Sequence, residues 1–201
     1  MLRIIAESAQ IVDEPRPATA NPAITRTIAL VGLMGAGKSA IGKRLAHRLG
    51  LPFVDADTEI EAAAGCTIEE FFERFGEAEF RAGERRVIQR LLDGAPHVLA
   101  TGGGAFMDLQ TRALMRERAT TIWLRADINV LFERVSRRSN RPLLKNGDPR
   151  GTLERLMAAR YPIYAEADLV VDSRDAPADR TAEDVLAALM RHLGVATGAA
   201  S

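Results

Sequence analysis

Short apolar runs alternate along this chain with longer stretches in which apolar residues recur every three or four positions. The runs are Thr27-Ile28-Ala29-Leu30-Val31, Leu51-Pro52-Phe53-Val54, His97-Val98-Leu99-Ala100, Thr121-Ile122-Trp123-Leu124 and Asp168-Leu169-Val170-Val171-Asp172. Runs this short, without polar alternation, are expected of parallel strands buried on both faces. Helical spacing lies between them. Ala40, Ile41, Leu45, Ala46 and Leu49 repeat until Gly50, and Phe71, Phe72, Phe75, Phe80, Val87, Ile88, Leu91 and Leu92 supply apolar faces from Thr67 to Leu92, with a break near Gly76. Further helices are predicted over Asp108–Arg118, Asp127–Arg138, Thr152–Tyr164 and Ala182–Leu193. Strands alternating with helices predict an α/β fold around a parallel sheet. Residues 1–25, with Pro15, Pro17 and Pro22, are expected to form a flexible extension, and residues 195–201 a frayed tail. Residues 26–194 then form the single folded domain.

The turn between the first strand and its helix carries the chemistry. Gly32-Leu33-Met34-Gly35-Ala36-Gly37-Lys38-Ser39 fits GxxxxGK followed by Ser or Thr without a mismatch. Glycines let successive backbone N–H groups turn inward onto phosphate oxygens, and the helix start adds its positive dipole end. Lys38 is expected to reach the β- and γ-phosphates and Ser39 to hold Mg²⁺. A strand before the motif and a helix after it separate this P-loop from a glycine-rich turn with a chance Lys-Ser.

Composition narrows the ligand. Lys plus Arg and Asp plus Glu each count 27, so no net basic field exists to hold nucleic acid or an anionic membrane, and anionic groups must be met by local cations. Apolar residues are 47% and charged ones 27%, which is globular usage, and no apolar run approaches the roughly 20 residues needed to span a bilayer. Cys66 is the one cysteine, and the first residues do not read as a signal peptide, so the cytoplasm is the expected compartment.

Several further residues are candidates. Asp55 and Asp57 follow the second strand, where ligands of such sheets bind; one could be an N-cap, but both together are expected to face opposite sides, one toward the P-loop metal and one toward a substrate. Gly102-Gly103-Gly104 after the third strand implies positive φ or close approach of a ligand, against a plain flexible turn. Arg81, among Glu77, Glu79, Glu84, Arg85 and Arg86, looks by itself like a solvated helix charge. Arg134, Arg137, Arg138, Arg141 and Lys145 run into Ser136–Gly151, whose Asn, Pro and Gly content predicts a loop, and basic charge there implies a lid over nucleotide phosphates.

Taken together, these stretches resemble the shikimate kinases, within the nucleoside-monophosphate-kinase-like group of P-loop enzymes. The resemblance spans about Thr27 to Leu193 and rests on GLMGAGKS, FVDADTEIE, GEAEFRAGE, ATGGGA, and RPLL followed nineteen residues after its Arg by Arg160 in ARYPIY. It implies a three-layer α/β/α P-loop fold with a five-stranded parallel sheet in the order 2-3-1-4-5, and a substrate-binding segment over about residues 57–92. It implies transfer of the γ-phosphoryl of MgATP to the 3-hydroxyl of shikimate. Gly35, Ala36, Gly37, Lys38, Ser39 and Ala40 would then cradle ATP, with Arg134 beside the adenine; Ser39 and Asp55 would serve Mg²⁺, Asp55 through water. Asp57 would orient or deprotonate the acceptor hydroxyl, Arg81 and Arg160 would grip its carboxylate, and backbone of Gly102, Gly103 and Gly104 would contact it. Lys38 and Arg141 would meet charge on the transferring phosphoryl, as planar guanidinium and point-charge ammonium groups suit it. A monomer is implied. The chain departs from the family at Ala40, where Thr is usual, which implies weaker nucleotide binding. A related kinase, such as one for gluconate, and a silent nucleotide-binding domain are the competing readings; the DAD and TGGG stretches favour shikimate, and the intact set Lys38, Ser39, Asp55, Asp57 and Arg141 favours an enzyme.

Overall fold

The computed structural model describes residues 23–137 and 148–195. Its strands are β1 (Thr27–Val31), β2 (Phe53–Asp55), β3 (Val98–Ala100), β4 (Ala119–Arg125) and β5 (Leu169–Asp172). Its helices are α1 (Lys38–Leu49), α2 (Ala56–Ala64), α3 (Ile68–Leu92), α4 (Leu109–Arg118), α5 (Ile128–Ser136), α6 (Pro149–Tyr164) and α7 (Ala178–His192), with a 3₁₀ turn at Ala105–Met107. The sheet runs β2-β3-β1-β4-β5, parallel throughout.

This order fixes where a ligand can sit. From central β1 the chain moves one way to β2 through α1, whereas β2 to β3, β3 to β4 and β4 to β5 all move the other way. Right-handed crossovers therefore put α1 on one face and the intervening helices on the other. Accordingly α1 packs on α7, while α4 packs on α3 and β4. Both faces are covered, which is why β1 is buried at every position. The reversal of direction at β1 opens a crevice beyond the carboxyl ends of the strands. The register makes that crevice level: Leu30 pairs with Ala100, and Ala100 with Asp55. Gly32, Gly102 and Asp57 each lie two residues past this row.

Several boundaries differ from the periodicity. Asp127 and Asp108 are N-caps of α5 and α4, each accepting from a backbone N–H at 2.8 Å, rather than residues inside the helices. The helix expected at Thr152 begins at Pro149, because Asp148 caps it through the Gly151 N–H at 2.9 Å and Pro is favoured in a first turn. The loop expected over Ser136–Gly151 is thus helical at both ends, and residues 138–147 lie outside the described residues. The last helix begins at Ala178 rather than Ala182. Within α3, Gly76 is non-helical at φ 79°, ψ 175°, where the break was expected. Of the expected extension, residues 1–22 lie outside the described residues, but Ile24 is buried at 2% exposure in the core, so the folded part begins before Thr25. Among the described residues no helix is long and apolar enough to cross a membrane.

At the start of β3, the opposite end from the crevice, His97 is buried. Its Nδ1 lies 3.0 Å from the Ala95 carbonyl and 3.3 Å from the Thr27 hydroxyl, while Nε2 has no partner among the described residues. Burial lowers its pKa from the ordinary 6.5, opposed by the Ala95 carbonyl and Glu59. The unfolded chain therefore binds a proton that the folded chain refuses, so this residue's contribution to stability is present above pH 6.5 and lost as pH falls toward the lowered value. Denaturant unfolding between pH 5 and 8 should show His97→Gln losing part of the acid-side fall; a wild-type-to-variant difference independent of pH would refute this.

Candidate active site

The β1–α1 turn closes because Gly35 and Gly37 take φ of 85° and 91°, which a side chain would strain. At Gly35 a Cβ would also stand 2.9 Å from Val135 Cγ2. Lys38 then arches back over the turn, its Nζ donating to the Gly32 carbonyl at 2.7 Å and the Leu33 carbonyl at 3.0 Å. Ser39 is exposed at the helix start and donates to Asp55 Oδ2 at 2.7 Å. The other oxygen of Asp55 accepts the Asp57 N–H at 3.2 Å, capping α2.

Asp55 is thus an N-cap and also a partner of the P-loop serine. The two acids do not diverge in the way extended chain was expected to make them. Residues two apart in a strand share a side. Here the strand ends at Asp55, and Asp57 belongs to the first turn of α2, so the helix separates them.

A cavity of about 520 Å³ opens at this end of the sheet. The P-loop residues Gly35, Gly37, Lys38, Ser39 and Ala40 line it together with Asp55, Asp57, Gly103 and Arg134. Arg134 ties α5 to the P-loop and to the segment after β5: it donates to the Gly35 carbonyl at 3.3 Å, the Ser173 hydroxyl at 2.8 Å and the Arg174 carbonyl at 2.5 Å. Arg137, named in the basic cluster of the expected lid, also lines the cavity, as do Ala176, Ala178 and Thr181, which were assigned no role from sequence. Arg141 lies outside the described residues.

None of the three glycines after β3 has positive φ; close approach accounts for Gly102 and Gly104, whereas a Cβ on Gly103 would stand at ordinary contact distance. A Cβ on Gly102 would stand 2.8 Å from Asp57 Oδ1 and 3.2 Å from Glu84 Oε1. On Gly103 it would meet Arg160 Nη1 at 3.7 Å, and on Gly104 it would strike the Arg81 guanidinium, 2.7 Å from Nη1. Two carboxylates and two guanidinium groups thus crowd one strip of bare backbone. Arg160 donates to the Gly103 carbonyl at 3.0 Å, and Tyr164 donates to the same oxygen.

Arg81 is no solvated charge. It is 24% exposed and donates to Glu84 at 2.6 Å, with Glu77 at 3.4 Å. Burial alone would lower its pKa, but Glu84 and then Glu77 hold it raised. Glu84, 2% exposed, was read only as a surface charge. A signal was available: Phe80, Glu84, Val87, Ile88 and Leu91 form one helical stripe, and all five are buried. Tyr164 likewise stands one turn from Arg160 on α6.

Among the described residues no group of three or more His, Cys, Asp and Glu side chains forms a metal cage. Ser39 and Asp55 nevertheless set a hydroxyl and a carboxylate side by side at the helix start. That pair suits Mg²⁺, which is held by few protein oxygens and keeps waters and phosphates as its other ligands.

Burial raises the pKa of Glu84 above the ordinary 4.5; Arg81 opposes this, and Asp57 and Asp108 add to it. The folded chain then holds a proton that the unfolded chain has released, so Glu84 withdraws stability as pH rises from 4.5 through the raised value. Glu84→Gln should therefore gain on the wild type in unfolding free energy as pH is raised across that window. A difference that stays flat from pH 4 to 8 would refute the assignment.

A family model described as "Shikimate kinase" matches residues 34–190. The shikimate kinase of Bradyrhizobium diazoefficiens is 60% identical over 168 residues, covering 84% of this chain and 81% of its own length. That of Paramagnetospirillum magneticum is 59% identical over 170 residues, 85% of this chain and 87% of its own. The structure of shikimate kinase from Acinetobacter baumannii in complex with shikimate superposes with a TM-score of 0.80 at 36% identity, covering 84% of this chain and 95% of that one. Matched by that family model over most of its length, and about 60% identical to these curated enzymes, the chain belongs to the shikimate kinase family.

Proposed function

We propose that this enzyme transfers the γ-phosphoryl group of ATP to the 3-hydroxyl of shikimate, giving shikimate 3-phosphate and ADP. The observation that carries the reading is the bare turn Gly102–Gly104, along which Asp57 stands at Gly102, Arg160 at Gly103 and Arg81 at Gly104. Shikimate presents a carboxylate on one side of a small ring and hydroxyls on the other. Two guanidinium forks suit the carboxylate, since each can donate two parallel N–H bonds. The hydroxyl then falls toward Asp57, which lines the same cavity as Lys38.

Each residue's work follows from its chemistry. The turn of Gly35, Ala36 and Gly37, with the N–H groups of Lys38, Ser39 and Ala40, receives the phosphate chain; Lys38 exchanges its carbonyl partners for phosphate oxygens. Ser39 and Asp55 are the residues that would hold Mg²⁺, which when bound offsets charge across the β- and γ-phosphates. Asp57 orients the acceptor hydroxyl and accepts its proton as the new P–O bond forms and the bond to the ADP oxygen breaks. Arg134, anchored by Ser173 and the Arg174 carbonyl, borders the adenine side. Arg141 is assigned to the transferring phosphoryl from the resemblance alone. A monomer in the cytoplasm completes the reading; the resemblance supports the first and the lone Cys66 the second.

An ADP-release assay with shikimate, and with gluconate as the competing carboxylate, tests the substrate. Turnover with gluconate and none with shikimate would overturn the proposal. Asp57→Asn keeps the shape and loses the charge, so turnover should fall by about a hundredfold or more with ATP binding little changed. Arg81→Lys and Arg160→Lys keep the charge and lose the fork, and should each weaken shikimate binding far more than ATP binding by calorimetry. Unchanged shikimate affinity in both would remove the carboxylate assignment.

A further inference from the structure

One buried polar atom near the site has no part in that scheme. Tyr164, in the last turn of α6, is fully buried, and its ring packs against Phe106, Trp123 and Tyr161 at centroid distances of 6.5, 5.9 and 6.4 Å. Phenylalanine would fill that aromatic slot. A hydroxyl placed there is costly unless it has a partner, so its position needs a reason. The partner is the Gly103 carbonyl, the oxygen that Arg160 also holds, at 3.0 Å. A carbonyl oxygen has two lone pairs, and these two donors use both.

We propose that Tyr164 is a positioning residue for the acceptor carboxylate: its hydroxyl fixes the Gly103 carbonyl and so sets the rotation at which Arg160, one helical turn earlier, presents its remaining N–H groups. The proposal rests on the functional reading above. Arg160 reaches the turn on a long flexible stem. Its guanidinium is held by the bond to the Gly103 carbonyl and by the Tyr164 hydroxyl itself, and that carbonyl can swing unless something else holds it. Tyr164 holds it from a rigid ring on the same helix, so the helix and the turn move as one unit. Burial pushes the phenol up to about 12, with Arg160 and Arg81 pulling it back, so it keeps its proton and remains a donor across the working pH range. Tyr161 provides the comparison: its hydroxyl is also bound, but to the Ala126 carbonyl beyond β4.

Tyr164→Phe tests this, because it deletes one oxygen and leaves the aromatic packing. Steady-state kinetics should show KM for shikimate raised about tenfold, with kcat and KM for ATP within about twofold of wild type. Tyr161→Phe should leave all three near wild type. If the hydroxyl acts through Arg160, adding Tyr164→Phe to Arg160→Lys should raise KM for shikimate little beyond Arg160→Lys alone. A merely structural hydroxyl would instead give multiplicative effects and a loss shared with the ATP parameters. An active wild type with an unchanged KM in Tyr164→Phe, or with fully multiplicative effects in the double variant, overturns the inference alone. A wild type that releases no ADP with shikimate overturns the functional reading and this inference with it.

Discussion

The structure turns on a strip of backbone that carries no side chains. At Gly102–Gly104 the carboxylates of Asp57 and Glu84 and the guanidinium of Arg81 settle where Cβ atoms would otherwise stand, with the Arg160 guanidinium in ordinary contact beside them, and the four groups come from three different helices. Opposite charges brought this close attract strongly, but they can approach only if nothing fills the space between them. The glycines supply that space, and they pay for it with the conformational entropy lost when three glycines in succession are ordered.

The sheet brings the rest to the same place. Because Leu30, Ala100 and Asp55 lie in one register row, the P-loop, the bare turn and the segment carrying Asp57 all begin at the same height on adjacent strands. A slip of one residue would turn every strand side chain to the other face and tilt that row. Burial of β1 and β3 makes such a slip costly, so packing far from the cleft fixes the spacing of the residues within it.

What was legible in the sequence follows from how local each cause is. The P-loop could be read because its geometry is dictated by its own glycines, and the strands because burial on both faces leaves unbroken apolar runs. Helix starts were less legible: Pro149 and Gly151 look like loop residues until Asp148 is seen to cap the turn they occupy. Glu84 and Tyr164 were missed for a different reason. The buried stripe that Glu84 shares signals its burial but not its partner, and a tyrosine near a helix end normally packs; the tertiary partners, Arg81 for one and the Gly103 carbonyl for the other, supply what the pattern leaves out. The glycine run was expected to reflect positive φ or a ligand close to the backbone; the structure shows no positive φ there and instead brings the chain's own side chains against Gly102 and Gly104.

On the proposed reading, Lys38 gives nucleotide binding a particular character. Its ammonium rests on two carbonyl oxygens of the loop it serves. An incoming phosphate therefore swaps one set of hydrogen bonds for another rather than satisfying an idle cation, and the gain in the ground state is only the difference between the two sets. That difference widens as negative charge shifts during transfer, because carbonyl dipoles are fixed while the charge on the moving group is not. The lysine's contribution is thus withheld at docking and released at the barrier, where it lowers the activation free energy instead of deepening the well in front of it.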